Sequence, residues 1–181
     1  MVDTVVARFA TIDVLVAAAG GFTRARITEE VTDDEWERGL AVNLSGAFRV
    51  AREVIGVMKR AQRGRIIFVS SASGRMPTKQ AAGVAHYASA KAGLLGLSRH
   101  LAVELGPHGI TVNTVAPGTT YTDRVAKLRS RDAFEDIERS IPLGRIATVE
   151  DQVGPILFLA SDAARYVTGA TLDVNRGRLM L

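Results

Sequence analysis

Three observations predict an α/β fold built on a mostly parallel sheet. Short apolar runs alternate with stretches of helical periodicity along the whole chain. The helical stretches are long enough to serve as crossovers between parallel strands. The first three apolar runs stop at glycine, serine or a Pro-Gly pair, residues that turn a chain. With 181 residues, 47% of them hydrophobic and 23% charged, the chain is expected to form a single domain around one core, spanning 1–181.

The elements follow in order. Val2 to Ala10 reads as a helix, and Ile12 to Ala17, ending in Ala-Ala-Gly-Gly, as a buried strand. Thr32 and Glu35 have the spacing of a capping box. Behind them Trp36, Leu40, Leu44, Phe48, Ala51, Val54, Ile55 and Met58 recur every three or four residues, one long amphipathic helix stopped at Gly64. Arg65 to Ser70 is the second strand, followed by a loop with Gly74 and Pro77. The next helix runs from Ala85 to Leu105 and stops at Gly106-Pro107. Ile110 to Ala116 is the third strand, closed by Pro117-Gly118. A polar stretch from Thr119 to Ser140 is partly helical, Thr148 to Asp151 caps a helix reaching Ala160, and Gly169 to Val174 is the last strand.

Composition narrows function. There is no cysteine, hence no disulfide framework, thiolate nucleophile or cysteine-type metal site, and no metal ligand set is assigned. No apolar run approaches the length of a membrane span, and the N-terminus lacks a secretory pattern, which makes the cytoplasm the expected compartment. The net charge is +4, but the arginines are scattered along the chain rather than gathered in a stripe with aromatics. Neither nucleic acid nor membrane is therefore expected as a partner.

The chemistry centres on Tyr87 and Lys91, one helical turn apart and so on one face. A tyrosine titrates near ~10, and a neighbouring ammonium is expected to lower that value. Such a phenol can exchange a proton with an alcohol or carbonyl near neutral pH. Ser71, ending the strand before, can offer a hydroxyl to the same oxygen. In parallel sheets ligands bind beyond the carboxyl ends of the strands, which places Gly20, Ser71 and Pro117-Gly118 along one edge. Each residue has a plainer reading: a Tyr-Lys pair on a solvated face, serines terminating a strand, Asn43 exposed on a helix. Only their joint occurrence in this order selects the functional one.

These motifs resemble the short-chain dehydrogenase/reductase family, of the kind that includes the 3-oxoacyl-carrier-protein reductases. The likeness runs through Ile12 to Gly20, Val42-Asn43-Leu44, Val69 to Gly74 and Tyr87 to Gly93. It continues through Gly109 to Asn113, Ala116 to Gly118 with Thr122, Ile141 to Arg145, Phe158 to Asp162 and Val167 to Gly169. The resemblance implies a Rossmann-like, doubly wound parallel sheet. It implies a ketone/secondary-alcohol oxidoreductase using NADP or NAD, the choice being open. Tyr87 would be the general acid and base. Lys91 would hold the nicotinamide ribose, Ser71 the substrate oxygen, and Asn43 a water linking Lys91 to solvent. Ala19, Gly20, Tyr87, Lys91, Pro117, Gly118 and Thr122 would border the cofactor. Residues 119–140 would form the substrate lid. Expected partners are a small carbonyl or alcohol, or a substrate on an acyl carrier protein, and further copies of the chain in a dimer or tetramer paired through the long helices.

The sequence departs from the family pattern in four places. The glycine-rich Thr-Gly-x-x-x-Gly-x-Gly turn, which cradles the pyrophosphate, does not occur in the 181 residues. An N-terminally truncated sheet, about the last four strands, is therefore expected, with Ile12 to Ala17 as an apolar edge. Ala17-Ala18-Ala19-Gly20 lacks the usual asparagines, and Asn175-Arg176-Gly177 stands in place of Asp-Gly-Gly. The spacing from Ser71 to Tyr87 suggests an insertion at Thr78 to Ala82. An alternative function is a remnant that holds no cofactor and acts as a non-catalytic assembly partner.

Overall fold

The computed structural model describes residues 1–76, 83–128 and 130–180, so the expected insertion at Thr78 to Ala82 lies outside the described residues. The elements are α1 (Val2–Phe9), β1 (Val14–Ala17), α2 (Asp33–Leu40), α3 (Gly46–Ala61), β2 (Gly64–Val69), α4 (Ala85–Leu105), β3 (Ile110–Pro117), α5 (Asp123–Leu128), α6 (Arg131–Arg139), α7 (Glu150–Ala160) and β4 (Thr171–Val174). The four strands form one parallel sheet in the order β1-β2-β3-β4.

Strand alternation builds two cores, because successive side chains point to opposite faces. Ile66, Phe68, Ile110 and Val112 meet α3 and α4 through Ala51, Val54, Met58, Leu94, Leu101 and Leu105. On the opposite face Ile67 and Val115 meet Leu159 of α7 and Ala164. Helices thus cover both faces, the doubly wound arrangement the sequence implied. Burying each large side chain contributes about 1.5–3 kcal/mol, so these two layers dominate the stability of the sheet. No helix among the described residues is long and apolar enough to cross a membrane.

The long amphipathic helix is one continuous path with a fault in it. Thr32 and Glu35 form the expected capping box, but Ala41–Ser45 between α2 and α3 is a wide π turn. Gly64 does not stop the helix. The chain turns at Gln62, whose φ of 52° is left-handed, and Gly64 opens β2. A side chain there would strike Met58, which is fully buried.

Several family-type motifs have structural duties. Asn113 donates from Nδ2 to the Val167 carbonyl at 2.8 Å and accepts from the Ala170 amide at 3.1 Å. The Val112 amide donates to Thr168 Oγ1 at 3.0 Å. Together they seat the approach to β4 on β3. The polar stretch after β3 folds into α5 and α6 around a small core of Phe134, Ile137, Ile141 and Ile146. Arg176 has a φ of 60° and donates to the carbonyls of Arg145 and Ile146 at 2.6 and 2.7 Å. It also pairs with Asp151, which Arg145 grips from the other side. The arginine that replaces the usual glycine is thus the clamp between the segment from Arg145 to Asp151 and the C-terminal segment. These contacts hold Asp151 well below the usual carboxylate range, the Arg145 hydrogen bond being the largest cause.

Candidate active site

Ser71, Tyr87 and Lys91 converge because β2 and α4 are locked together at the sheet edge. Ser70 Oγ donates to the Lys91 carbonyl at 2.7 Å. The turn after Ser71 rides directly on α4: a Cβ added to Gly74 would lie 2.6 Å from the Lys91 carbonyl carbon. No bulkier residue permits that approach. The strand end and the helix therefore present their hydroxyl, phenol and ammonium groups to one cleft of ≈ 470 Å³.

Lys91 is 3% exposed, and its Nζ donates to the Val69 carbonyl at 2.7 Å. Burial lowers its pKa to about 8. Nζ lies 5.7 Å from the centroid of the Tyr87 ring. The expected lowering of the phenol by this ammonium does not occur. Burial pushes the Tyr87 phenol upward, and the weaker pulls that oppose it come from the neighbouring Ser71 hydroxyl and from the charge of Arg124. The physical reason is desolvation: a buried phenolate loses more hydration than the nearby charges return.

Asn43 sits in the π turn and is fully buried. Its Nδ2 donates to the carbonyls of Gly39 and Gly21, both at 2.9 Å, and its Oδ1 accepts from the Gly21 amide at 2.7 Å. The Gly39 carbonyl, one turn upstream, is thus served by a side chain, and the ladder widens there. Asn43 also binds the backbone just past Gly20, in the segment where the family's asparagines are missing. Gly20 stands between the two polar groups: a Cβ there would lie 2.6 Å from Asn43 Oδ1 and 3.0 Å from Lys91 Nζ.

The remaining expected residues divide. Pro117, Gly118 and Thr122 line the cleft with Gly20, Ser71, Tyr87 and Lys91. Thr122 Oγ1 accepts from the Val125 amide at 3.2 Å, starting α5. Ala19 is not among the lining residues, although Ala18 is, and Asn43 stands behind the wall. Phe22 and Arg124 are among the lining residues that escaped the sequence reading. Phe22 packs edge-on against Tyr87 with ring centroids 5.2 Å apart. Arg124 donates to the Gly20 and Phe22 carbonyls. The signal available for Arg124 was a cation two residues after Thr122, on the chain leaving the strand edge.

The cleft fits part of a nicotinamide dinucleotide. Lys91 spends one of its three N–H donors on Val69 and faces the cleft with the others. Gly20 and Gly118 keep the walls free of side chains: a Cβ at Gly118 would lie 3.1 Å from Asn175. That geometry suits the nicotinamide riboside. No residue of the chain supplies a glycine-rich turn for the adenosine side.

The parallel sheet wound on both faces, with a cleft at its strand ends, defines a doubly wound α/β architecture. A family profile described as enoyl-(acyl carrier protein) reductase matches residues 1–178, and the chain belongs to the short-chain dehydrogenase/reductase family. It is 41% identical over 181 residues to the 3-oxoacyl-[acyl-carrier-protein] reductase FabG of Salmonella typhimurium, covering all of this chain and 72% of that protein. It is 40% identical over the same span to the FabG of Escherichia coli. Among solved structures, levodione reductase superposes with a TM-score of 0.91 at 28% identity, over 98% of this chain and 70% of that one.

Proposed function

We propose that Ser71, Tyr87, Lys91 and Asn43 form the working centre of an NAD(P)-dependent oxidoreductase that interconverts a ketone and a secondary alcohol. The observation that carries this reading is that Ser71, Tyr87 and the buried Lys91 all line one cleft at the strand ends. Bound NAD(P)H supplies the hydride to the carbonyl carbon. Tyr87 gives its phenolic proton to the carbonyl oxygen as negative charge develops there. Ser71 donates a hydrogen bond to the same oxygen. Lys91 offers its free N–H donors to ribose hydroxyls, and Asn43 fixes the backbone at Gly21 so that Gly20 leaves room beside Lys91. A raised phenol suits the reducing direction, since Tyr87 arrives protonated. The likeness to FabG supports a 3-oxoacyl substrate on an acyl carrier protein. The cytoplasm, and assembly into dimers or tetramers through α3 and α4, belong to the same reading.

The test is Tyr87→Phe with two readouts: reduction of a 3-oxoacyl thioester, and NADPH binding followed by fluorescence. Turnover is expected to fall by about 10²- to 10⁴-fold while binding persists. Undiminished turnover would sink the assignment. A second reading is an assembly partner without turnover, which a folded chain that binds neither NADPH nor NADH would support.

A further inference from the structure

A second cavity of ≈ 230 Å³ adjoins the cleft, and Gly20, Gly21, Phe22 and Arg124 line both. Its wall is strongly basic. Arg24, Arg26, Arg38 and Arg124 line it against one carboxylate, Glu35. Glu35 is already engaged, 2.9 Å from Arg26 and closing the cap at Thr32. Arg24, Arg38 and Arg124 form no ion pair among the described residues. His86 also lines the cavity, 9% exposed, with Nδ1 buried and unpartnered.

Arg124 has a built seat. Its guanidinium donates to the Gly20 carbonyl at 3.4 Å and to the Phe22 carbonyl at 2.5 Å. A Cβ at Gly21 would lie 2.6 Å from Nη1, so the seat depends on that glycine. Two carbonyls occupy part of a five-donor fork whose natural complement is a carboxylate or phosphate. A guanidinium held by carbonyls alone keeps its full charge for a ligand. The Phe22 ring packs on Tyr87 while the Phe22 carbonyl holds this cation, and Val31 and Val42 add apolar wall.

We infer that Arg124, with Arg24 and Arg38, forms an anion subsite that holds an acidic group of the substrate, carboxylate or phosphate, separated by an apolar spacer from the carbonyl set against Ser71 and Tyr87. The inference rests on the carbonyl chemistry proposed above. The second cavity shares Gly20 with the cofactor wall but not Pro117, Gly118 or Thr122, and Arg24 and Arg38 line it without lining the cleft, which sets this charge on the substrate side.

The test compares 4-oxopentanoate with its methyl ester, by NMR titration and by NADPH-dependent reduction, in the wild type, Arg124→Met and Arg38→Gln. The wild type is expected to prefer the carboxylate by about 10- to 100-fold, the range of a charge-assisted hydrogen bond. Arg124→Met should bring the ratio near one, Arg38→Gln should lower it less, and inorganic phosphate should compete with the carboxylate in the wild type. Competition by phosphate at a carboxylate-preferring site marks the subsite as open to either acid, and its absence restricts it to carboxylates. Equal binding and turnover of both compounds by the wild type would overturn the subsite and leave the carbonyl chemistry standing. Carboxylate preference in binding, without turnover of either compound, would leave the subsite standing and overturn the chemistry. Loss of NADPH affinity in Arg124→Met with an unchanged carboxylate preference would move Arg124 to the cofactor and overturn the inference.

Discussion

Burial governs the ionisable residues of the cleft more than their neighbours do. Lys91 titrates at about 8 because its ammonium has left water with only a carbonyl for compensation. Its folded pKa lies below the unfolded value near ~10.4, so the unfolded chain binds the proton more readily. The cost of burying the ammonium is fully present below pH ~8 and fades as pH rises toward ~10.4. The Lys91 side-chain ¹³Cε resonance should therefore show a midpoint near 8, absent in Lys91→Met. The Tm difference between wild type and Lys91→Met should shift in favour of the wild type across that same window. A midpoint at the ordinary lysine value would mean that Lys91 is hydrated.

Elements meet at this edge through glycines whose missing side chains set the spacing. Gly74 touches the α4 backbone at Lys91 and Ala92, which cannot rotate aside. Gly74→Ala should cost about 1–3 kcal/mol, as overpacking does, and displace Ser71 from Tyr87. Gly96 lies in the same helix, and a methyl group added there would meet nothing within 4 Å. Gly96→Ala should stabilise by about 0.5–1 kcal/mol, since alanine is the better helix former. Denaturant melts of the two variants check both signs, and equal effects would show that helix propensity rather than close approach controls Gly74. The π turn at Asn43 belongs to this scale too. A periodicity reading runs straight through it, because Leu40, Leu44 and Phe48 keep their spacing while the hydrogen-bond ladder changes.

For the molecule as a whole, β1 is an edge strand. Val14 and Val16, two residues apart and so on one face, are 41% and 39% exposed, while Leu15 and Ala17 pack against the larger core. An apolar edge with open backbone groups invites pairing with another chain. Val16→Lys should lower concentration-dependent light scattering with the circular dichroism spectrum unchanged. Unaltered scattering would place association elsewhere, for instance at the exposed outer side of α7 with Val153 and Leu157.

Strand and helix order and the Ser71–Tyr87–Lys91 group were legible in the sequence because they depend on periodicity and on residues near one another along the chain, whereas the division into two cores appeared only in the fold. Arg65 to Ser70 reads as a strand from its apolar run, and Tyr87 and Lys91 share a face by helical spacing. Tertiary structure decided what depends on distant partners. It set the direction of the Tyr87 shift, because desolvation is a property of the packed site. It made Arg176 a clamp on Asp151, twenty-five residues away in sequence, and set Arg124 on the carbonyls of Gly20 and Phe22. A charge's role follows from what surrounds it in space, and no local pattern carries that information.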